Sequence, residues 1–513
     1  MKPNLENLDF LRLHQSLDSL LRFWLFSLQT DCKGRYRHAM NPPLSFKPTL
    51  QVLNDEQIQE LHRATARVLE RTGVKVTHPE ALEIFAGGGA RVETDRVFIP
   101  RTMLEDAIQR APGRIVLGNR KGEEAVVLED DACWFGATLD NIYYFDPTTS
   151  QRRQLTLDDC RYMVSIFDAL PNLSWGMTFG AISDVPAHLS DRYAAMQALK
   201  YSEKPIVFSS NDVSSLVEIF EMVKVATGNE GCFETAPPAA SFVTTISPLV
   251  IPDHVVEQLI LCAENAIPQI CYAGVQAGST GPMSFAGTIV QGNAETLACL
   301  VLSQLVRLGS PVVFGHLSTI MDMRSSIFSF GAPEMNLMIA AQSQIARHYS
   351  IPFYGTAGCS DSKLPDAQAA VEAVFSCFSS ALGCSGLIHD AGLLEYATMS
   401  APEHMVLVNE VLHMVGQYKN GIDVGPEALA LDVIDAIGPG GQYLTSPHTM
   451  KHFREVWYSQ LFDRSGYSNW LEGGAKDLTA RVRERTLALM AQQPAPLDDQ
   501  TIAALDEMSR QWT

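Results

Sequence analysis

The sequence predicts an α/β fold: a (β/α)8 TIM barrel, preceded by an N-terminal α+β cap and followed by a C-terminal helical extension. Three observations lead there. Eight apolar, strand-length runs recur along the middle of the chain, helix-length amphipathic segments separate them, and the runs are apolar throughout rather than alternating. Strands buried on both faces and joined by helical crossovers make a parallel sheet covered by helices, and eight such units close into a barrel.

In chain order, residues 1–49 precede any domain-like pattern. LLRFWLFSL, Leu20 to Leu28, is too short to span a bilayer, contains Arg22 and lacks a small-residue cleavage site, so it reads as neither anchor nor signal. The segment after Met40 starts like a domain, which makes the residues before it an extension or the product of an upstream start-codon choice. Asn54 is placed to cap a helix in which Ile58, Leu61, Val68 and Leu69 recur at helical spacing. Residues 50–131 then read as a cap of helix, short strands and helix: QIQELHRATARVLERTGV, RVFIP and TMLEDAIQRA.

Residues 132–400 carry the barrel. Its strands are predicted in ACWFGATLDN, LSWGMTFGAI, PIVFSS, ASFVTTISPL, PQICYAGVQAG, PVVFGHLSTI, PFYGTAGCSD and GLIHDAGLLE. The helical segments between them include DRYAAMQALKYS, DHVVEQLILCAENA, NAETLACLVLSQLVRLG and DAQAAVEAVFSCFSSALG. Residues 401–513 add further helices, among them EHMVLVNEVLHMVGQYKNG and LTARVRERTLALMAQ.

Composition narrows the function. A net charge of −20 disfavours nucleic acid or an anionic membrane as the main partner, because both reward clustered Lys and Arg. Ten Cys are scattered with no CxxC pair, which points to a reducing cytoplasm, no disulfide framework and no thiolate zinc site. No Walker loop, strand-to-helix GxGxxG, HExxH or GxSxG elbow occurs, so the chain is expected to act on a small organic molecule rather than a nucleotide.

In a barrel of this kind the loops after the strands carry the chemistry. Aromatic residues are plentiful there: Trp134 and Phe135 on the first strand, Tyr143 and Tyr144 just beyond it, Trp175 and Phe179 on the second, Tyr272 on the fifth, Phe314 on the sixth, Tyr354 on the seventh. Taken singly, each reads as core packing. Converging on one mouth, several would cage a quaternary ammonium group by cation–π attraction. The polar residues of the same rim are Asp140, Asn141, Gln276, His316, Asp361, Lys363, His389, Asp390 and Glu395. His316 in FGHLS and His389 in LIHDAG stand out, since a titratable group on an apolar strand needs a partner or a task. Either alone reads as a satisfied core histidine. Together they suit a ligand's carboxylate or amine. Asp366 reads as a helix cap, Gln368 as a partner for a buried carbonyl, and Asp361 with Lys363 as either a mouth-shaping pair or an ordinary surface pair.

ELHRATARVLERTGV, GSTGPMSFAGTIVQGNAETLA, TIMDMRSSIFSFGAPEMNLM, SDSKLPDAQA and GPGGQYLTSPHTMKHFREVWYSQLFDR together resemble the trimethylamine:corrinoid methyltransferase superfamily, over about Leu50 to Met490. The resemblance implies a barrel that binds a methylated amine and presents a methyl group to cobalt(I) of a separate corrinoid protein. Trimethylamine-specific members carry pyrrolysine at the mouth; this chain is written in the standard twenty residues, so it looks like the non-pyrrolysine branch, whose members use glycine betaine and related betaines. On that basis His389, His316 and Asp361 are the expected catalytic residues, with no metal. Trp134, Tyr144, Trp175, Phe179, Tyr272, Gln276, Tyr354, Lys363 and Glu395 are the expected substrate contacts. No DxHxxG motif occurs, so the corrinoid (cobalamin) is expected on a partner protein and not permanently bound. The expected partners are that cognate corrinoid protein and a small quaternary amine, with a homo-oligomer also in view. Two further readings stay open: a barrel that binds quaternary amines as a sensor without turnover, and a trimethylamine methyltransferase-like enzyme acting on another methylated amine. A metal-dependent lyase or hydrolase would require His316, His389 and a carboxylate to meet at one ion.

Overall fold

The computed structural model describes residues 47–129, 131–384, 386–492 and 497–512. The segment Leu20 to Leu28 and the expected start near Met40 lie outside the described residues. Ile422–Gly440 belongs to a unit of its own and holds the short helices Pro426–Leu429 and Leu431–Ile437. Lys47–Gly421 and the residues from Gly441 on form the other unit, described below.

Eight parallel strands close on themselves: β1 (Cys133–Thr138), β2 (Trp175–Thr178), β3 (Ile206–Ser209), β4 (Ala239–Thr244), β5 (Gln269–Ala277), β6 (Val312–Asp322), β7 (Phe353–Thr356) and β8 (Gly386–Ala391). Each pairs with its neighbour in sequence, and β8 returns to β1. All eight predicted strands are present. Helices follow each strand: α1 (Leu157–Ala169), α2 (Ser190–Tyr201), α3 (Val213–Thr227), α4 (Asp253–Glu264), α5 (Phe285–Val306), α6 (Pro333–His348), α7 (Ala367–Gly383) and α8 (Pro402–Lys419). The eighth barrel helix, α8, thus falls inside the segment expected as the C-terminal extension. Among the described residues α5 alone is long and apolar enough to cross a membrane, and it is a largely buried barrel helix packed on β5 and β6.

The inner face of the barrel follows from the register. Trp134 stands opposite Leu387, Gly136 opposite Trp175, Met177 opposite Val207, Ser209 opposite Phe242, Thr244 opposite Tyr272, Gly315 opposite Tyr354, and Thr356 opposite His389. Because side chains alternate along a strand, these positions share one face. They build a core of their own, distinct from the larger core between strands and helices.

The N-terminal end of this inner core is stoppered. A hairpin of Ile115–Gly118 and Glu124–Leu128 inserts Ile115, Leu117, Val126 and Leu128 among Trp175, Val207, Ile270, Val313 and Leu387. The Trp134 indole N–H donates to the Val127 carbonyl at 2.8 Å, and the Gly118 N–H to the Pro237 carbonyl at 2.9 Å. This hairpin was not expected from sequence.

The rest of the cap lies outside the barrel. Asn54 caps the helix Asp55–Arg71 through a reciprocal box with Gln57, as anticipated. That helix packs on α5. Val74–Val76 pairs with Arg96–Phe98 and, in parallel, with Val250–Ile251 from the loop after β4. At the C-terminal end of the chain Leu478–Met490 packs on α1 and α8, and Asp499–Arg510 packs on α3 and α2. At the opposite end of the barrel from the hairpin, Tyr143–Asp146, Gln151–Gln154, Leu393–Leu394 and Met399–Ser400 form a small sheet from the segments after β1 and β8.

Candidate functional site

Above the hairpin the inner wall is aromatic. Tyr354 is its hub, with ring centroids 5.8 Å from Trp175, 5.6 Å from Phe242, 5.9 Å from Tyr272 and 4.6 Å from His389, the last nearly stacked at 23°. Phe179 meets Phe242 edge-on at 6.2 Å, and Tyr272 meets His389 edge-on at 6.4 Å. The Tyr354 hydroxyl donates to the Met177 sulfur at 2.9 Å. The Trp175 indole N–H donates to the Trp134 carbonyl at 2.9 Å, and the fused ring carbons of the same indole would crowd a Cβ on residue 136, which is why that position is Gly136. Toward the C-terminal ends of the strands the wall opens: Phe179, Ser209, Tyr272, Gly274 and Gln276 are half-buried and Thr244 is exposed.

His389 and Asp390 stand together on this wall. Strict alternation would send Asp390 outward with Ile388. Between Ile388 and Ala391, however, β8 slips by one residue against β1, and Asp390 takes a left-handed φ of +79°. A bulge of this kind re-aims a side chain. The inward-facing hydroxyls of Thr138 (3.4 Å) and Thr356 both donate to the Asp390 carboxylate. Its Oδ1 lies 2.6 Å from His389 Nδ1, but at an angle that makes a close contact rather than a hydrogen bond. Both His389 ring nitrogens are buried without a hydrogen-bond partner. Burial, reinforced by the charge of Asp390, pushes the Tyr272 and Tyr354 phenols well above their ordinary pKa, so both remain neutral.

The loops around the mouth are tied down by carboxylates. Asp140, fully buried just after β1, accepts from the N–H groups of Phe179 (2.8 Å) and Ala181 (2.7 Å), and so fixes the loop after β2. Burial raises its pKa against those hydrogen bonds. Glu295 accepts from Thr245, Ser247 and the Leu249 N–H, holding the loop after β4. Glu372 accepts from Ser360 and the Asp361 N–H, and Asp366 caps α7 through the Ala369 N–H.

Trp134, Trp175, Phe179, Tyr272, Gln276, Tyr354 and His389 therefore share the inner face, with Trp134 and Trp175 at its floor. Other expected site residues lie elsewhere. His316 is on β6 but three residues on from the inward Val313, and it faces the helices: a Cβ at Gly292 of α5 would fall 2.0 Å from its ring, and Gln342 of α6 meets its Nδ1 at 2.6 Å. Burial pushes its pKa down to about 3. Tyr144 lies in the small sheet, packed in the outer core with the Arg153 guanidinium 4.8 Å over its ring. Glu395 pairs with Arg152 at 2.7 Å beside that sheet. Asp361 accepts from Ser329 and from the Phe330 N–H at 2.8 Å, and Lys363 donates to the Asp361 carbonyl and lies 5.6 Å over Tyr396. Both lie in the loop after β7. His316 and His389 face opposite sides of the barrel wall, so they do not meet at one ion. Among the described residues no group of three or more His, Cys, Asp or Glu is placed to hold a metal.

Sequence reasoning missed Phe242, Thr138 and Thr356, although each sits in a predicted strand. It also missed a rim of exposed apolar side chains on the loops at this end: Ile142 after β1, Ile246 after β4, Met283 after β5, Met323 after β6 and Leu364 after β7. Met283 and Met323 converge over Gly278, whose φ is +87°. Large apolar residues in loops, where polar ones are the rule, were the available signal.

Residues 30–511 match the trimethylamine methyltransferase (MTTB) family. The chain is 33% identical over 455 residues, 88% of its length and 92% of the relative's, to trimethylamine methyltransferase MttB of Desulfitobacterium hafniense. It is 32% identical over 462 residues, 89% of its length and 96% of the relative's, to a glycine betaine methyltransferase of the same species. Its fold is similar to that of the Methanosarcina barkeri monomethylamine methyltransferase MtmB, with a TM-score of 0.50, 11% identity and coverage of 88% and 90% of the two chains.

Proposed function

The chain belongs to the trimethylamine methyltransferase (MTTB) family and is a methyltransferase; from that premise we propose that it takes a methyl group from a quaternary amine, glycine betaine or a related betaine, and passes it to a corrinoid held by a separate protein. The observation that carries this reading is the aromatic inner wall of Phe179, Phe242, Tyr272 and Tyr354 beside a buried histidine whose two ring nitrogens make no hydrogen bond within the chain. Aromatic faces attract a quaternary ammonium group, which has no N–H to donate. His389 offers the wall a donor for a carboxylate at the substrate's other end.

The corrinoid, when its carrier is docked, supplies a cobalt(I) nucleophile for in-line attack on an N-methyl carbon. The C–N electron pair stays on nitrogen, so a quaternary substrate departs as a neutral tertiary amine and no residue of the chain has to deliver a proton. What the chain contributes is orientation and a dry wall. The exposed Ile142, Ile246, Met283, Met323 and Leu364 on the mouth loops supply apolar surface for a partner that covers the barrel. The nine described cysteines are all unpaired, which suits the reducing cytoplasm that cobalt(I) chemistry needs.

Mixing the purified protein with a reduced corrinoid protein and a panel of methylated amines tests the proposal. Conversion of cobalt(I) to methylcobalt(III) with glycine betaine or another betaine is expected. Conversion only with trimethylamine, or calorimetric binding of betaines with no conversion, overturns it, the latter in favour of a sensor.

A further inference from the structure

Asp390 is a carboxylate in the wall of an aromatic barrel, 1% exposed. The bulge and the left-handed φ of +79° exist to bring it there, since regular alternation would turn it toward the helices. Once inside it receives two hydroxyls, from Thr138 and Thr356, and the flank of His389. No Lys or Arg among the described residues pairs with it. Buried charges are otherwise paired or bound to a ligand, because leaving water is costly for an ion. Near it stand Tyr272 and Tyr354, whose phenols burial and the charge of Asp390 keep neutral. Neutral rings beside a carboxylate form a cation site.

We propose that Asp390 is the counter-charge for the substrate's ammonium group and sets the enzyme's preference for cationic nitrogen over a neutral group of the same shape. This inference rests on the betaine reading above. It adds a residue role that the aromatic cage alone does not require: cation–π attraction already favours a trimethylammonium group over a tert-butyl group, and the carboxylate adds a further share of that preference, which its removal abolishes.

The test compares glycine betaine with 3,3-dimethylbutanoate, which replaces the charged nitrogen by carbon, in calorimetric binding to the wild-type protein and to Asp390→Asn, with thermal melting as the folding control. The wild type is expected to prefer glycine betaine by about tenfold or more, and Asp390→Asn to lose about that factor for glycine betaine alone. Equal wild-type affinity for the two compounds overturns the inference without any variant. So does an Asp390→Asn protein that melts like the wild type and keeps the preference. If either happens while methyl transfer from betaine persists, the function stands and only the role of Asp390 falls. A wild-type protein that binds neither compound overturns both.

Discussion

The two cores of this barrel treat a buried histidine in opposite ways. In the outer core His316 is enclosed by α5 and α6, and its Nδ1 is met by Gln342 at 2.6 Å and by Ser318 at 3.3 Å. On the inner wall His389 is just as deeply buried, stacked on Tyr354, yet neither ring nitrogen has a hydrogen-bond partner. Residue type, strand setting and burial are nearly the same. The difference lies in polar satisfaction: Gln342 and Ser318 meet His316 Nδ1 from within the chain and leave only its Nε2 without a hydrogen bond, whereas neither ring nitrogen of His389 has one.

That contrast can be broken by substitution. His389→Ala should lower kcat/KM for glycine betaine by about a hundredfold or more, near 3 kcal/mol, and affect a choline-like substrate less, with little change in melting temperature. Equal loss for both substrates rejects the anchoring role. His316→Ala should do the reverse: a stability loss of about 2 kcal/mol from the cavity and the stranded Gln342, read by denaturant unfolding, with betaine affinity unchanged. A change in affinity without a change in stability would place His316 with the inner wall after all.

Acid sharpens the same contrast. Burial holds His316 neutral down to about pH 3 and His404, whose Nε2 contacts the Gly358 carbonyl, down to about pH 4, against an ordinary 6.5. Between those values and 6.5 the unfolded chain binds more protons than the folded one. Stability is therefore full above the ordinary value and falls as pH drops through this window, by roughly 1.4 kcal/mol per pH unit for each group at most. His316→Gln should flatten part of that slope in urea unfolding measured from pH 7 to pH 4. On the mouth loops, the double substitution Met283→Asp, Met323→Asp should raise KM for the corrinoid protein by about tenfold while leaving betaine binding intact. Smallest of all, Trp134→Phe removes one hydrogen bond to the hairpin and should cost about 1 kcal/mol of stability.

The strands were legible because a parallel barrel buries both faces of each one, leaving continuous apolar runs such as PVVFGHLSTI and GLIHDAGLLE. The same property hid the site. Where both faces are apolar, nothing in the alternation says which residues point inward, so His316 and His389 look alike in sequence and only the register separates them. The inward turn of Asp390 was hidden for a related reason: a one-residue bulge leaves no mark in composition. Tyr144 and Glu395 were drawn to the mouth by their position just past strands, but the small sheet and the Arg152 and Arg153 contacts hold them in their own packing. Asn54 and Asp366, whose capping bonds reach only three residues along the chain, were read correctly.

The hairpin beneath Trp134 and Trp175 gives the barrel a blind end, and that has a kinetic consequence. A vessel with one opening must fill before its lid comes down and empty after the lid lifts. Initial rates should accordingly follow a compulsory order, amine first and carrier second, and excess carrier should slow turnover by trapping spent amine beneath it.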